Sequence, residues 1–297
     1  MNFRNEDLWV VIPTYNRAND LIDCLTSLEE AGIQTTQIII IDNHSQDNTV
    51  EKVTQYFPKT KLFLLHDNLG AAKASNIGFK YAVDQDAAYI LRLDSDTIVA
   101  PNFSKSLLEA ASSDSNFGVI GPKIYYFDKP ELIWYAGMDA QPLILGAYHG
   151  FRDQQDSFEN DQFREVDYVW GAAMLIKKEV LQQTGGFDTD FFIYQEEIDF
   201  CRRVKNLGFK IVFVPESHIW HKVGSAANSP WTAYQWNRSK MLLFRKHARN
   251  IFHMIFLIIY AYGYALIAPL SQGKLAGNRG PLKDALRGLW HGLTLKY

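Results

Sequence analysis

Cysteine is nearly missing from this chain, with two in 297 residues. Cys24 and Cys201 lie far apart and form no CxxC pair, which argues against a zinc site and fits a reducing compartment. Both read as packing residues. An excess of charge is missing too. Thirty Lys and Arg stand against 33 Asp and Glu for a formal net charge of −3, so no general attraction to nucleic acid exists and none is expected as a partner. The first two strand-end turns, PTYNR and DNHSQDNT, contain no GxGxxG, which disfavours a Rossmann dehydrogenase. The opening residues MNFRNEDLWVVIPTYNR lack the long apolar segment of a secretory signal, so the chain is expected to start in the cytoplasm. Internal repeats and low-complexity tracts are absent.

What is present is an alternation. LWVVIP (8–13) is followed by a segment with helical spacing at Leu21, Cys24, Leu25 and Leu28 that stops at Gly32. QIIIID then leads to a helix around TVEKVTQYF, KLFLLH to a third helix over about 70–82, and AAYILRLDSD supplies a fourth strand ahead of a helix opening at Pro101. Four consecutive β-α units imply right-handed crossovers and an α/β fold with a largely parallel sheet, its polar turns gathered along one edge. After residue 117 the alternation gives way to short extended pieces and helical KKEVLQQTGG and QEEIDFCRRVKNLG. The expected organisation is one unit over 1–229, with halves of about 8–116 and 117–229, and a helical region over 230–297. At 47% hydrophobic and 21% charged residues, the chain can bury one large core.

Acidic residues mark the candidate chemistry. Alternate residues of a strand share a face, so Asp94 and Asp96 in LRLDSD are expected to look out together from the carboxyl edge of the sheet, where a cation bound to a phosphate would sit. A loop with two solvated acids is the plainer reading. Asp42, at the tip of an apolar strand, is placed to accept from the imide N–H of uracil or thymine while Thr14 holds the base edge; a turn cap explains it equally. Asn68 and Gly70 form a turn where free N–H groups approach a ribose or phosphate, or simply a left-handed turn. Glu196, Glu197 and Asp199 crowd one helical turn, which raises at least one proton affinity toward that of a general base; acids favoured by the helix dipole are the alternative. His221, after a strand, could complete a metal's ligand set or be an ordinary packed histidine.

In order along the chain, VVIPTYNR, IIIIDNHSQDNT, NLGAAKASNIG, LRLDSD, VDYVWGAAMLIKKEV, the segment from GGFDTDFF to IWHKVG, and NRSKMLLFRKH resemble a family 2 glycosyltransferase over roughly residues 8–250. The resemblance is to bacterial members that build surface polysaccharides, rhamnosyltransferase-like ones among them. The resemblance implies a GT-A nucleotide-sugar fold with a catalytic domain over 1–229 and inverting transfer from a nucleotide-diphosphate sugar, such as dTDP-rhamnose or a UDP-sugar. The acceptor would be a glycan or lipid-linked molecule in cell-surface polysaccharide synthesis. Carried onto this sequence, it makes Asp42 the base-binding residue and Asp94 and Asp96 the DxD. Asp96 becomes the direct ligand of Mg or Mn, with His221 a further ligand. Glu196 and Glu197 fall on the family's catalytic pair, Glu197 as base, although the family more often has Asp there, which leaves Asp199 as a second choice. Trp170 would form the acceptor platform, or be a buried Trp packed under the helix. A sugar-phosphate nucleotidylyltransferase would need a Gly-rich, Arg-containing loop that PTYNRAND does not supply, and a noncatalytic nucleotide-sugar-binding scaffold would be expected to have lost the acids. The QxxRW string of processive synthases is absent.

Residues 251–270 carry no Asp, Glu, Lys or Arg and have the length of a bilayer span. Basic residues flank both sides, so no crossing direction follows. An interfacial or re-entrant helix is expected, with LKDALRGLWHGL lying flat beside it at the cytoplasmic face of the cell membrane. The alternative is a helical hairpin packed on the catalytic domain.

Overall fold

A computed structural model describes residues 7–148, 150–222, 229–271 and 280–295. Its first half is built from β1 (Leu8–Thr14), α1 (Ala18–Glu30), β2 (Ile38–Asp42), α2 (Thr49–Tyr56), β3 (Lys61–Leu64), α3 (Ala71–Asp84) and β4 (Tyr89–Leu93). The four strands run parallel in the spatial order β4-β1-β2-β3. Continuous apolar runs specify them: Val10, Val11, Ile12 and Ile38 to Ile41 are wholly buried, as expected of parallel strands covered on both faces.

The second half adds β5 (Thr97–Val99), α4 (Phe103–Ser113), β6 (Phe117–Tyr126), β7 (Ile133–Tyr135), a hairpin of β8 (Asp139–Gln141) and β9 (Gly146–Tyr148), β10 (Arg164–Val166), β11 (Ala173–Lys177), α5 (Lys178–Thr184), α6 (Glu196–Asn206) and β12 (Lys210–His221). It extends the sheet to β10-β12-β6-β11-β4-β1-β2-β3. β11 enters antiparallel to both β4 and β6, whereas β6 and β12 are parallel, so the sheet is mixed and mostly parallel. The helix expected to open at Pro101 begins at Phe103, because Pro101 and Asn102 form a turn closed by the Phe103 N–H donating to the Ala100 carbonyl at 3.1 Å.

Three helices close the chain: α7 (Pro230–His247), α8 (Ile251–Ser271) and α9 (Gly280–Thr294). Ser229 caps α7 by accepting from the Thr232 N–H at 3.0 Å, with Pro230 in the first turn. Leu242 and Leu243 of α7 join the main core, while Met241, Phe244, Leu257, Ala261 and Leu289 form a second, smaller one. α9 packs tightly on α7, where a side chain at Gly288 or Gly292 would collide with α7 backbone. Among the described residues no helix is long and apolar enough to cross a membrane.

Candidate active site

β4 ends at Leu93, and the chain then turns. The Asp94 N–H donates to the Ala172 carbonyl at 2.9 Å, and the Thr97 hydroxyl donates back to the Asp94 carbonyl at 2.7 Å. The two carboxylates therefore converge through a tight turn, and strand alternation, which the sequence suggested, is not the cause. β12 brings the third member. Its antiparallel register with β5 sets His221 opposite Thr97, and the Lys222 N–H donates to the Asp96 carbonyl at 2.9 Å. One ligating atom each of Asp94, Asp96 and His221 lies within 4.8 Å of the others. His221 Nε2 shares a hydrogen bond with Asp96 Oδ1 at 3.1 Å, and its ring stands edge-on to Trp134, centroids 4.4 Å apart.

Burial opposes ionisation of Asp96, but the His221 hydrogen bond and the Arg17 charge outweigh it and hold the carboxyl below the usual carboxylate range. Arg17 Nη2 lies 3.6 Å from Asp96 and Arg92 Nη1 lies 2.6 Å from Asp94. Two oxygen-bearing acids and one imidazole suit a hard divalent cation such as Mg or Mn. The nearest thiol, Cys24, is fully buried and pushed up to about 12 by that burial, which keeps it protonated and out of the donor set.

The second acidic group opens α6. Tyr194 and Gln195 adopt φ of 69° and 68°, a left-handed pair that non-glycine residues rarely take and that sets the angle at which the helix starts. α7 fixes this loop: the Ser239 hydroxyl donates to the Ile193 carbonyl at 2.8 Å and Arg238 to the Asp190 carbonyl at 3.1 Å. Glu196 and Glu197 are each 5% exposed. Burial pushes Glu196 up to about 7, and burial together with the Glu196 charge pushes Glu197 up to about 8. Gly171 separates the two groups of acids. A Cβ built there would sit 3.7 Å from Arg92 Nη1 and 3.7 Å from Glu197 Cβ, so Arg92 stands between the Asp94 carboxylate and Glu197.

Asp199 faces elsewhere. It is fully buried and bound by Arg203 Nε at 2.8 Å, Lys246 Nζ at 2.8 Å and His247 Nε2 at 2.9 Å. Burial acts to raise it, but these partners hold it well below the usual carboxylate range. The expectation that crowding raises at least one proton affinity in this trio is met at Glu197, where the Glu196 charge adds to burial; Glu196 is raised by burial, and Asp199 is lowered by its partners.

At the other end of the cleft, β1 and β2 align Thr14 with Asp42. One Asp42 oxygen accepts from the Ser45 N–H at 3.0 Å as a turn cap. Its other oxygen and the Thr14 hydroxyl are buried without a protein partner. The cap and the base-binding reading each claim one oxygen. Asn68 and Gly70 behave differently from the expectation of free N–H groups. The Asn68 side chain accepts the Gly70 N–H at 3.0 Å, and the Ala71 N–H donates to the Phe192 carbonyl at 2.7 Å. Gly70 has φ of 83°, and a side chain there would strike Phe192. The close approach the glycine permits is to the loop before α6.

Trp170 stands edge-on to Trp134 at 4.9 Å. With Glu197 and Gln195 it lines a partly open pocket of about 190 Å³ bordered by the β8–β9 hairpin, α7 and α8. Sequence reasoning overlooked Arg92, hidden in an apolar strand, and Lys240, which reaches this cavity from α7. An Arg in a fully buried strand position was the available signal for the first; nothing local marks the second.

Residues 9–185 match the family described as Glycosyl transferase family 2, and the chain belongs to it. It is a glycosyltransferase similar to bacterial rhamnosyltransferases. It is 25% identical over 305 residues to the dTDP-rhamnosyl transferase RfbF of Shigella flexneri, covering 98% of this chain and 97% of that protein. It is 27% identical over 242 residues to the N-acetylglucosaminyl-diphospho-decaprenol L-rhamnosyltransferase of Mycobacterium tuberculosis, covering 74% and 78% of the two. Among solved structures, GalNAc-T7 with UDP, GalNAc and Mn2+ superposes with a TM-score of 0.63 at 18% identity, over 96% of this chain and 55% of the other. The mannosyltransferase PcManGT of Pyrobaculum calidifontis, in complex with GDP-Man and Mn2+, gives 0.61 at 15% identity over 98% and 88%. The fold is GT-A.

Proposed function

We propose that this chain is an inverting, cation-dependent rhamnosyltransferase that moves the sugar of a dTDP-linked donor to a glycan or lipid-linked acceptor in cell-surface polysaccharide synthesis. The observation that carries this reading is that Asp96, grouped with Asp94 and His221, is held ionised, whereas Glu196 and Glu197, on the other side of Gly171, are raised by burial. Asp94, Asp96 and His221 would hold Mg or Mn, the hard-donor set suiting either. A cation bound there supplies Lewis-acid stabilisation of the charge growing on the departing diphosphate. Asp42 Oδ1 and the Thr14 hydroxyl meet the imide edge of a thymine or uracil, each oxygen gaining the partner it lacks. Glu197 takes the proton of the acceptor hydroxyl; its raised proton affinity matches a base working near neutral pH. Glu196 keeps Glu197 basic through like charge, and Trp170 offers the acceptor sugar a flat face. Asp199 serves α6 and α7 as an anchor and is not the base. Attack from the side opposite the leaving group inverts the anomeric centre.

The donor assignment rests on the similarity to RfbF and on the mycobacterial relative, whose name specifies rhamnosyl transfer. The decaprenol-linked acceptor in the latter's name, together with the outer face of α8, supports work at the inner membrane surface. Ile251, Phe252, Ile255, Ile259 and Ile267 of that helix are all exposed, an apolar patch fit for an interface.

Incubating the protein with Mn and either dTDP-rhamnose, UDP-glucose or GDP-mannose tests the donor, with rhamnose released or transferred fastest. NMR of the product reads the anomeric configuration, and retention would overturn inversion. Co-sedimentation with phosphatidylglycerol vesicles tests the membrane surface, with binding expected to fall in Ile255→Glu/Ile259→Glu.

A further inference from the structure

β7 holds one residue more than the stretch of β6 it pairs with. Tyr135 faces Ile124 and Ile133 faces Tyr125, with a register shift between the two pairs that leaves Trp134 as the extra residue. A bulge of this kind bends a strand locally and re-aims a side chain, and bulges gather next to active sites. Backbone bonds from a neighbouring segment pin the strand as well. The Ile133 N–H donates to the Gln154 carbonyl at 2.8 Å, and the Asp153 N–H donates to the Ile133 carbonyl at 2.8 Å.

The bulge delivers Trp134 to His221. Their rings meet edge-on with centroids 4.4 Å apart and planes 67° apart. Trp134 in turn rests on Trp170, 4.9 Å away at 78°, and the Arg152 guanidinium lies 5.9 Å from its centroid. The indole is buried, yet its Nε1 has no hydrogen-bond partner in the protein. A buried polar group left in that state calls for a reason beyond packing.

His221 supplies the reason. A ligating imidazole ordinarily donates its other ring N–H to a carboxylate, a carbonyl or a water, and that bond sets the orientation of the ring. His221 turns Nε2 to Asp96 at 3.1 Å, while Nδ1 is buried and has no partner among the described residues. The bond to Asp96 cannot orient the ring for a cation, because its two ends are the ligating groups themselves. What remains is the contact with Trp134.

We infer that Trp134 is a positioning residue of the cation site, its ring holding the His221 imidazole in the orientation a divalent cation needs in place of the hydrogen bond that Nδ1 lacks. The inference rests on the reading of Asp94, Asp96 and His221 as cation ligands and adds the group that orients one of them. Trp134 is no ligand itself and acts through His221.

Titrating the full chain with Mn in the presence of saturating dTDP, with free Mn read by electron paramagnetic resonance, tests it. Trp134→Ala and Trp134→Leu should raise the Kd for Mn about ten- to a hundredfold, the range for losing a partner that orients a metal ligand. Trp134→Phe keeps an aromatic edge and should bind Mn nearly as the wild type does. Should Trp134→Ala fail to fold, the Leu and Phe variants decide. A double-mutant cycle separates orientation from general loosening: in a His221→Ala background, Trp134→Leu should cost nothing further, because the ring it acts through is gone. Binding of dTDP in EDTA should be equal in wild type and Trp134→Leu. Unchanged Mn affinity in Trp134→Leu, an equal loss with and without His221, or weaker dTDP binding in EDTA overturns the inference. The wild-type titration reports on the cation reading by itself: no bound Mn sinks that reading and this inference with it, whereas equal Mn binding by wild type and Trp134→Leu sinks this inference alone.

Discussion

Asp96, in the turn after β4, and Glu197, in the first turn of α6, carry the same functional group, yet their proton affinities move in opposite directions. Asp96 is held ionised by His221 and Arg17 despite its burial. Glu197 has Glu196 beside it and only the Arg92 charge, acting alongside a backbone hydrogen bond, to offset its burial. The contrast separates two tasks: an acid meant to hold a cation must stay charged, and one meant to accept a proton must want it. Arg92, bound to Asp94 and to the Gly171 carbonyl, stands between the two groups.

Removing the proposed base breaks the contrast most severely. Glu197→Gln preserves shape and cannot take a proton, so turnover should fall by about 10²- to 10⁴-fold, while binding of dTDP in the presence of Mn persists. Loss of both would show that the two clusters are not separable. Asp96→Asn addresses the other side. The Kd for dTDP should rise about ten- to a hundredfold with Mn present and change little without it, the scale of one lost charged interaction. Calorimetry with and without EDTA reads both arms, and equal weakening in the two would remove Asp96 from the cation site.

How much of this was legible in the sequence depends on how local each cause is. The β-α units of the first half follow from periodicity and apolar runs, and β1 to β4 form as those patterns dictate. The ends of strands carry the acids because polar turns collect at one edge. What pattern cannot show is pairing across long separations. His221 meets Asp96 only because β12 lies antiparallel to β5, and β11 inserts between β4 and β6 in the direction opposite to its neighbours. Glycine was equally ambiguous: the residue at 70 signals a close approach, and only the fold shows that Phe192 makes it. Glu196, Glu197 and Asp199 look alike in the sequence, but Lys246 and His247, nearly 50 residues later, capture the last of them.

That capture gives a third way to sharpen the comparison, since Asp199 shows what a buried acid does when cations surround it. Asp199→Asn leaves Lys246 and Arg203 short of a counter-charge at the α6–α7 contact, and unfolding free energy should drop by about 3–5 kcal/mol, the range for breaking one side of a buried pair. The pH sign follows from the depressed proton affinity. The contribution is present above the unfolded carboxylate value of about 3.9 and is lost as pH falls through the lower folded value. Denaturant titrations near pH 7 should therefore show the full gap between wild type and variant, and titrations at strongly acidic pH should show it closing.

Glu197 provides the opposite slope, and with it the smallest expected effect. Its folded form binds a proton more tightly than the unfolded chain, where a glutamate titrates near 4.3. Stability therefore falls as pH rises from that value to about 8 and levels off above it. Glutamine does not titrate. Glu197→Gln should match the wild type in melting temperature near pH 4.5 and exceed it by a few degrees at pH 9, even as its turnover falls. A variant that is more stable than the wild type only at alkaline pH would mean that the fold favours the protonated carboxyl and loses stability when Glu197 ionises. Parallel melting curves across the range would place Glu197 with Asp96 instead, ionised throughout, and the division of labour between the two clusters would have to be redrawn.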